Sequence, residues 1–303
     1  MNILITGSTG LLGQALVERL ARGAGVIGLS RHPATAPATG EVSHLVCDLT
    51  DAQATRRAVR AIAPDVVIHA QAMSDVDRCE QDPKRAEQAN VQTVEHLCEA
   101  SKSRAIPIFI LSTDYVFDGA KGRPYDEADE PHPLSVYGKT KLAGERVALR
   151  YPGAFVIRSS TFFGPGRRNF CDAIVQRAKQ REPVDVFSDQ ATSPTYTVDL
   201  AEGLQALLDA MARDPQRAWP RVYHMANGGG CRRVEFARRV LELLGYPASL
   251  VRPIRMAQQP HPAPRPSYSV LTSRHPELLI GRPLRPWGDA LHAYLLGRHE
   301  PLL

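Results

Sequence analysis

The 303-residue sequence has no apolar run near the roughly 20 residues that a helix needs to cross a bilayer. This absence predicts that the chain is not an integral membrane protein. The N-terminus also lacks the basic leader and the small-residue cleavage site of a secretory signal peptide. We therefore expect its first residues to form a strand that runs directly into a glycine turn.

Cysteine and excess charge are both scarce. The five cysteines are odd in number and far apart, without the close spacing of metal-ligand pairs. We therefore expect thiols in a reducing cytoplasm, with no disulfide framework and no metal site. The 37 basic and 32 acidic residues leave a net charge of only +5, without a dense basic block. Nucleic acid is therefore not an expected partner, whereas anionic small molecules suit the mild positive bias.

The first 160 residues alternate short β-rich runs with amphipathic helical segments. This alternation predicts a doubly wound, Rossmann-like α/β fold, in which helices cover both faces of a parallel sheet. The expected strands are Asn2–Thr6, Gly25–Ser30, Ser43–Cys47, Asp65–Ala70, Pro107–Ser112 and Ala154–Ser159. The expected helices are Leu11–Arg22, Ala52–Ala63, Pro83–Lys102 and Val136–Tyr151.

The rest of the chain is richer in proline and arginine and predicts a smaller, discontinuous C-terminal lobe. A late apolar run, Arg221–Ala226, is expected to return to the sheet. The stretch Arg252–Pro266 holds five prolines and is expected to be an irregular loop. We expect a cofactor-binding domain formed by residues 1–161 and 197–227, and a substrate lobe formed by residues 162–196 and 228–303.

Three glycines at intervals of three, Gly7, Gly10 and Gly13, follow the first expected strand and open the first expected helix. Without side chains, the backbone can turn tightly and approach a pyrophosphate at the positive end of the helix. Because the pattern lies between the first strand and the first helix, it indicates a dinucleotide cofactor.

The end of the second strand indicates which cofactor is used. An acidic residue there would favour NAD, but this chain has Ser30 and Arg31. Since a guanidinium can pair with a 2′-phosphate, we expect NADP, with NAD as the alternative. After the third strand, Asp48 is placed to bind the adenine amino group.

Hydroxyl and carboxyl groups mark the end of the fifth strand and the start of the next helix. Thr113 and Asp114 stand at the strand end, where ligands bind in doubly wound folds. Tyr137 and Lys141 are four residues apart and so share one helix face. A nearby ammonium is expected to lower the pKa of the phenol, which can then exchange a proton with a carbonyl or an alcohol.

With these motifs in this order, the chain resembles the extended short-chain dehydrogenases/reductases. It is most similar to the dTDP-4-dehydrorhamnose reductase family of sugar-nucleotide reductases. The matching segments cover nearly the whole chain and include Thr6–Gly13, Asp65–Asp77, Asn90–Val91, Ser112–Gly119, Val136–Glu145, Ser193–Tyr196 and Arg265–Leu271.

The resemblance implies reduction of the 4-keto group of a 4-keto-6-deoxy sugar nucleotide by NADPH. It implies that Thr113, Tyr137 and Lys141 are catalytic, with Asp114 beside them. The resemblance is also compatible with association of the chain into a homodimer. The expected cofactor contacts are Gly7, Thr9, Gly10, Leu11, Leu12, Gly13, Ser30, Arg31, Asp48, Leu49, Ala70, Gln71, Ala72, Tyr137 and Lys141.

The sequence departs from the family pattern at two places near the expected site. Gln71 stands where the family usually has alanine, and Thr161 stands where the rhamnose enzymes tend to carry tryptophan. Both concern the identity of the substrate and leave the reaction type unchanged. In addition, the segment Gly166–Phe170, with Arg167 and Arg168, is placed either to grip a diphosphate or to form a solvated loop.

Two alternative functions stay open. The first is a sugar-nucleotide epimerase or dehydratase on the same fold, but Tyr115 occupies the place where many dehydratases carry glutamate. The second is a non-catalytic, NADP-binding regulatory subunit, and the intact set of Thr113, Tyr137 and Lys141 argues against it.

Overall fold

A computed structural model describes residues 1–33, 42–259, 261–275 and 283–297. The strands are β1 (Asn2–Thr6), β2 (Gly25–Ser30), β3 (Val42–Val46), β4 (Val66–His69), β5 (Ile108–Thr113), β6 (Ala154–Ser159), β7 (Phe162–Phe163), β8 (Val184–Phe187), β9 (Ala191–Thr192), β10 (Thr195–Tyr196), β11 (Val222–His224), β12 (Cys231–Arg232) and β13 (Val251–Ile254). The helices are α1 (Leu11–Leu20), α2 (Ala52–Ile62), α3 (Val76–Gln81), α4 (Pro83–Glu87), α5 (Thr93–Ser101), α6 (Val136–Leu149), α7 (Phe170–Lys179), α8 (Thr197–Arg213), α9 (Arg233–Leu243) and α10 (Trp287–Leu296). No helix within these ranges is long and apolar enough to cross a membrane.

Seven of the described strands form one parallel sheet in the order β11-β6-β5-β4-β1-β2-β3. The chain starts in the middle, runs outward to β3, and then crosses back to β4 on the other side of β1. The topological switch point therefore lies between β1 and β4, where ligands bind in doubly wound folds. The predicted fold class is confirmed, and the late apolar run returns to the sheet as β11 beside β6.

The sheet is buried on both faces because its strands carry apolar side chains in alternate directions. In β1, Ile3 and Ile5 belong to one hydrophobic cluster and Leu4 belongs to another. Helices α1 and α8 cover the first face with side chains such as Leu16 and Leu204. Helices α2 and α5 cover the opposite face. This layering fixes the loops at the carboxyl edge of the sheet.

A separate hydrophobic cluster joins α7, α9 and α10, with Phe163, Ile174, Val240 and Leu291 among its buried members. Its residues come from both segments of the predicted substrate lobe. The stated division of the chain into two domains stays a prediction.

Two predicted elements are wrong in part. The segment Arg252–Pro266 is not wholly irregular, because its first residues belong to β13, which pairs in parallel with β8. A proline fits there since β13 is an edge strand of a two-stranded pair. The predicted helix Pro83–Lys102 is interrupted by a π-helical turn, Gln88–Gln92, between α4 and α5. Pro260 lies outside the described residues.

Candidate active site

The polar strand ends meet at one edge because all seven strands of the main sheet are parallel. Gly7 follows β1, Arg31 follows β2, Asp48 follows β3, Ala70 follows β4, and Thr113 ends β5. Strands β1 and β4 are neighbours in register, with Thr6 opposite His69, so the glycine turn lies directly beside the segment after β4.

Gly7 and Gly13 are required by the fold of the glycine turn. Gly7 has φ of +69°, and a Cβ there would come within 2.7 Å of the Gln71 backbone nitrogen. A Cβ on Gly13 would collide with the Gly7 carbonyl oxygen and would lie 2.8 Å from the Ser8 Cα. These two glycines therefore bring β1, α1 and the chain after β4 into close contact.

Gly10 differs from these two because a Cβ there would have a single close neighbour and no contact under 3.0 Å. A Cβ at Gly10 would meet only the Gly7 carbonyl oxygen, at 3.1 Å. Gly10 is also the N-cap of α1, and no side chain caps the first turn, which contains no acidic residue. Helix N-termini with free N–H groups favour anions. The uncapped N-terminus of α1 therefore fits a cofactor pyrophosphate.

The other glycine-turn residues expected at the cofactor lie around this N-terminus. Leu11 and Leu12 form the first turn of α1, and Leu12 is buried in the sheet cluster. The Thr9 carbonyl oxygen accepts a hydrogen bond from Gln14 Nε2 at 3.2 Å.

At the end of β2, the Arg31 side chain is exposed and enters no hydrogen bond or ion pair within the described residues. The neighbouring Ser30 hydroxyl is engaged, since it donates to the His32 carbonyl oxygen and lies 3.0 Å from His44 Nε2. Arg31 is thus the group at this strand end that remains available to a phosphate.

Asp48 follows β3 on the same edge. Its Oδ1 accepts hydrogen bonds from the Thr50 amide at 3.0 Å and the Thr50 hydroxyl at 2.9 Å. These bonds hold the exposed carboxylate in one orientation. Leu49 is buried, and its carbonyl oxygen lies 2.8 Å from His96 Nδ1, which ties the chain after β3 to α5.

The segment after β4 is partly buried and contains Ala70, Gln71 and Ala72. Asn90, in the π-helical turn, holds the end of this segment through its side chain. Its Oδ1 accepts from the Met73 amide at 2.8 Å, while Nδ2 donates to the Met73 carbonyl at 3.1 Å and to Thr140 Oγ1 at 3.1 Å. The π-helical turn therefore ties the expected nicotinamide side of the site to α6.

Thr113 and Asp114 are buried together at the end of β5. Thr113 Oγ1 donates to Asp114 Oδ1 at 3.1 Å and accepts from the Tyr115 amide at 3.2 Å. Ser269 Oγ donates to Asp114 Oδ2 at 2.5 Å. Burial raises the pKa of Asp114 to about 6, although hydrogen bonds from Ser269, Ser160 and Thr113 act in the opposite direction.

Tyr137 lies in the first turn of α6, whose N-terminus is capped by the Ser135 hydroxyl on the Gly138 amide at 3.2 Å. Burial raises the pKa of the Tyr137 phenol, while a hydrogen bond with Thr113 opposes the rise. The expected net lowering of this pKa does not occur in this structure, because desolvation of the phenolate outweighs the stabilising groups around it. At neutral pH the phenol keeps its proton.

Lys141 is buried one turn further along α6, and its ammonium donates to the Leu111 carbonyl oxygen at 2.6 Å. Burial lowers the pKa of Lys141 to about 8, and the Glu145 carboxylate and the Cys79 thiol counteract this effect. The ammonium is thus charged at neutral pH and held against the last residues of β5.

A cavity of about 390 Å³ opens beside this group, between the sheet edge and the C-terminal lobe. Tyr115 connects the two, because its ring lies edge-on to the Tyr137 ring with centroids 5.9 Å apart and also lines the cavity. Gln190 Nε2 donates to the Tyr115 hydroxyl at 2.9 Å. The further lining residues are Val76, Asp77, Phe170, Asp185, Val186, Phe187, Gln190, Arg233, Gln259, His261 and Arg265.

Sequence reasoning missed most of this cavity. Gln190 and Arg233 belong to no recognisable motif, and only the tertiary fold brings them to Tyr115. Of the segment Gly166–Phe170, the aromatic residue lines the cavity, whereas Arg167 and Arg168 are exposed and are not among its lining residues. No cluster of three or more His, Cys, Asp or Glu side chains able to hold a metal ion occurs in the described ranges.

Thr161, which stands where related enzymes tend to have tryptophan, has φ of +35°. This left-handed backbone is strained for a β-branched residue. It follows β6 directly, and its carbonyl oxygen accepts from the Thr195 amide at 3.0 Å. The chain therefore turns sharply from the main sheet into β7 next to Ser160 and the Asp114 carboxylate.

A parallel Rossmann sheet with the Tyr137–Lys141 pair beside its switch point defines an extended short-chain dehydrogenase/reductase. More narrowly, the chain belongs to the RmlD substrate binding domain family, whose model matches residues 1–298. The family resemblance inferred from the motifs is confirmed.

The similarity to known proteins extends over nearly the whole chain. A Mycobacterium tuberculosis protein named dTDP-4-dehydrorhamnose reductase is 39% identical over 296 residues, which cover 95% of this chain and 90% of that protein. The crystal structure of a dTDP-4-dehydrorhamnose reductase from Clostridium acetobutylicum superposes with a TM-score of 0.83 at 32% identity, covering 97% of this chain and 98% of that one. A Bacillus anthracis dTDP-4-dehydrorhamnose reductase solved in complex with NADP has the same TM-score at 26% identity and the same coverage.

Proposed function

We propose that the chain is an NADPH-dependent reductase of the 4-keto group of a 4-keto-6-deoxy sugar nucleotide. The observation that supports this most is the contact of the Tyr137 ring with Tyr115, which lines a cavity of about 390 Å³ at the carboxyl edge of the sheet. The names of the relatives described above support the same reaction, and one of those relatives was solved with NADP.

Tyr137 is suited to donate a proton to the ketone oxygen. Because burial raises the pKa of its phenol, the side chain remains protonated at neutral pH and can act as a general acid. The Thr113 hydroxyl acts to lower the pKa of the phenol, so it is suited to help orient the ketone oxygen. The charged Lys141 stabilises the phenolate that forms when the proton leaves.

The cofactor supplies a hydride to the sugar C4 atom when it is bound. The lack of a side chain at Gly10 and the uncapped N-terminus of α1 fit its pyrophosphate, and Asp48 would bind the adenine amino group. Arg31 would pair with the 2′-phosphate of NADPH. We propose that Leu11, Leu12, Ala70, Gln71 and Ala72 complete these contacts, with NAD as the weaker cofactor.

This function is tested by NADPH oxidation with a dTDP-4-keto-6-deoxy sugar, followed by NMR of the product. We expect stoichiometric loss of NADPH absorbance and a new C4–H signal in the sugar. Elimination of water or inversion without net NADPH consumption would instead indicate a dehydratase or an epimerase. Binding of NADPH without turnover of GDP-, UDP-, CDP- or dTDP-linked ketosugars would indicate a regulatory subunit.

We also propose a cytoplasmic location and assembly into a homodimer. The five cysteine side chains are all buried, and within the described residues none forms a disulfide, which suits a reducing compartment. Light scattering of the purified protein measures the assembly directly, and cell fractionation measures the location.

A further inference from the structure

Among the described residues that line the cavity beside Tyr115, the Arg233 guanidinium has no anionic partner. Arg265 is neutralised by Asp77, to which its Nη1 and Nη2 donate at 3.0 and 2.7 Å. Asp185 is neutralised by Arg252, whose Nε donates to it at 2.7 Å. Arg233 also lines the cavity, and within the described part of the chain no carboxylate pairs with it.

The fold holds Arg233 firmly despite this missing partner. Its guanidinium carbon lies 4.1 Å from the centroid of the Phe170 ring, in a cation–π contact. Its backbone amide donates to the Gln190 carbonyl oxygen at 2.9 Å. Gln190 is itself buried and bonded to the Tyr115 hydroxyl, so one residue connects the arginine to the neighbour of Tyr137.

The surroundings of Arg233 disfavour an uncompensated charge. Desolvation lowers the pKa of the guanidinium, and the positive charge of Arg265 acts in the same direction. The nearby Asp114 carboxylate acts in the opposite direction but forms no ion pair with Arg233, and its oxygens accept from Ser269 and Thr113. A desolvated charge is costly unless it is paired, so the site is complementary to an anion that enters the cavity.

We propose that Arg233 binds the diphosphate of the sugar-nucleotide substrate. This inference rests on the proposed function and names the residue that selects the substrate's anionic group. The planar guanidinium offers paired N–H donors that match two phosphate oxygens. Its face is taken by Phe170, which leaves the N–H edges for the ligand. The exposed Arg167 and Arg168 have no such setting.

Binding of dTDP and of thymidine by calorimetry tests the proposal without requiring turnover. For Arg233→Gln we expect the dTDP dissociation constant to rise about 10- to 100-fold, as for loss of a charge-assisted hydrogen bond. Thymidine, which lacks the diphosphate, should bind as it does to the wild type. Arg168→Gln, an exposed arginine of the neighbouring loop, is the matched control and should leave both affinities unchanged.

Further variants separate charge from packing. Arg233→Lys should restore part of the dTDP affinity, because it keeps the charge and loses the planar fork. Arg233→Met keeps apolar contact with Phe170 and should match the glutamine variant, and NADPH affinity should be unchanged in all three. With the ketosugar, KM should rise while kcat is retained.

Several results would overturn the assignment. The assignment is wrong if Arg233→Gln and Arg233→Met both bind dTDP with unchanged affinity. It is also wrong if the affinity for thymidine falls as much as the affinity for dTDP. A larger loss of dTDP affinity in Arg168→Gln than in Arg233→Gln would assign the diphosphate site to the exposed loop. If the wild type binds dTDP through Arg233 but reduces no ketosugar, the proposed reaction fails and the diphosphate site stands. If reduction occurs with a KM insensitive to Arg233, the reaction stands and the site fails.

Discussion

Arg158 and Glu145 form a buried ion pair beneath the active-site helix. The Arg158 Nη2 donates to Glu145 Oε2 at 2.7 Å, and its Nε donates to Oε1 at 3.0 Å. Ser112 donates to the same carboxylate, and His224 Nε2 lies 3.4 Å from Arg158 Nη1. Since Glu145 is four residues after Lys141, the pair joins α6, β5, β6 and β11 directly behind the catalytic face.

Glu145→Gln should therefore destabilise the protein strongly. It leaves the Arg158 guanidinium charged and buried, and breaking such a pair typically costs about 3–5 kcal/mol. Urea unfolding measures this loss as a lower midpoint at an unchanged slope. The matched control is Glu18→Gln, which breaks the exposed pair with Arg22 and should change the free energy of unfolding by less than about 1 kcal/mol. Equal midpoints for the two variants would refute the structural role of the pair.

The glycine turn gives a prediction that separates binding from folding. Gly10→Val should lose less stability than a substitution at Gly13, because the backbone is extended, with φ and ψ of −76° and 171°, and the Cβ would have one close neighbour, the Gly7 carbonyl oxygen at 3.1 Å. The added methyl groups occupy the space assigned to the pyrophosphate, so NADPH affinity should fall by at least about tenfold, or 1.4 kcal/mol. Fluorescence titration of NADPH measures this, and unchanged affinity would make the turn purely structural.

Gly13→Val is the contrasting variant of the same turn. Because its Cβ would collide with the Gly7 carbonyl, we expect loss of folded protein rather than selective loss of binding. Circular dichroism melting of Gly10→Val and Gly13→Val side by side distinguishes the two effects. A Gly13 variant as stable as the wild type would contradict the close approach of α1 to the turn.

Arg31 is expected to select NADPH over NADH. A charge-assisted contact with the 2′-phosphate is worth about 1.5–3 kcal/mol, or about 10- to 100-fold in affinity. Arg31→Ala should raise the Michaelis constant for NADPH by about that factor and leave that for NADH unchanged. Because Arg31 is exposed, the effect should shrink as salt is added. Equal losses for both cofactors, or a wild type that prefers NADH, would refute the role.

The buried Lys141 predicts how the reaction depends on pH. Its pKa of about 8 means that the ammonium is charged at pH 7 and loses its proton as the pH rises through 8. Without that charge the phenolate of Tyr137 is less stabilised, so kcat should fall on the alkaline side with a midpoint near 8. Lys141→Arg keeps the charge, so the fall of kcat at alkaline pH should shift to higher pH. A flat profile between pH 7 and about 9.5 would contradict the role of Lys141.

Much of the fold could be predicted from the sequence because its local signals agree with the tertiary structure. Short apolar runs such as Asn2–Thr6, which is followed by glycine, and Gly25–Ser30, which ends at serine, have their ends at one edge of a parallel sheet. The Tyr137–Lys141 spacing likewise needs only helix geometry. For this reason, the parallel sheet and the placement of Tyr137 and Lys141 on one helix face could be predicted from the sequence.

The remaining features depend on contacts between distant segments. The π-helical turn within the expected helix Pro83–Lys102 accompanies side-chain bonds from Asn90 to Met73 and Thr140. The pKa of Tyr137 depends on burial, which its local sequence does not encode. Arg233 reaches the cavity from a helix nearly one hundred residues after Tyr137, so no local pattern could place it there.

The single turnover rate of Tyr137→Phe tests the central claim most directly. The substitution removes only the phenolic oxygen, so NADPH should bind as in the wild type while reduction of the ketosugar falls by about 10²–10⁴-fold, the usual contribution of a general acid. Rapid mixing of the NADPH complex with the ketosugar, followed at the nicotinamide absorbance, gives this rate free of product release. A loss of that size with unchanged NADPH affinity is the predicted result. A variant that retains more than half of the wild-type rate would contradict the assignment of Tyr137 as the proton donor.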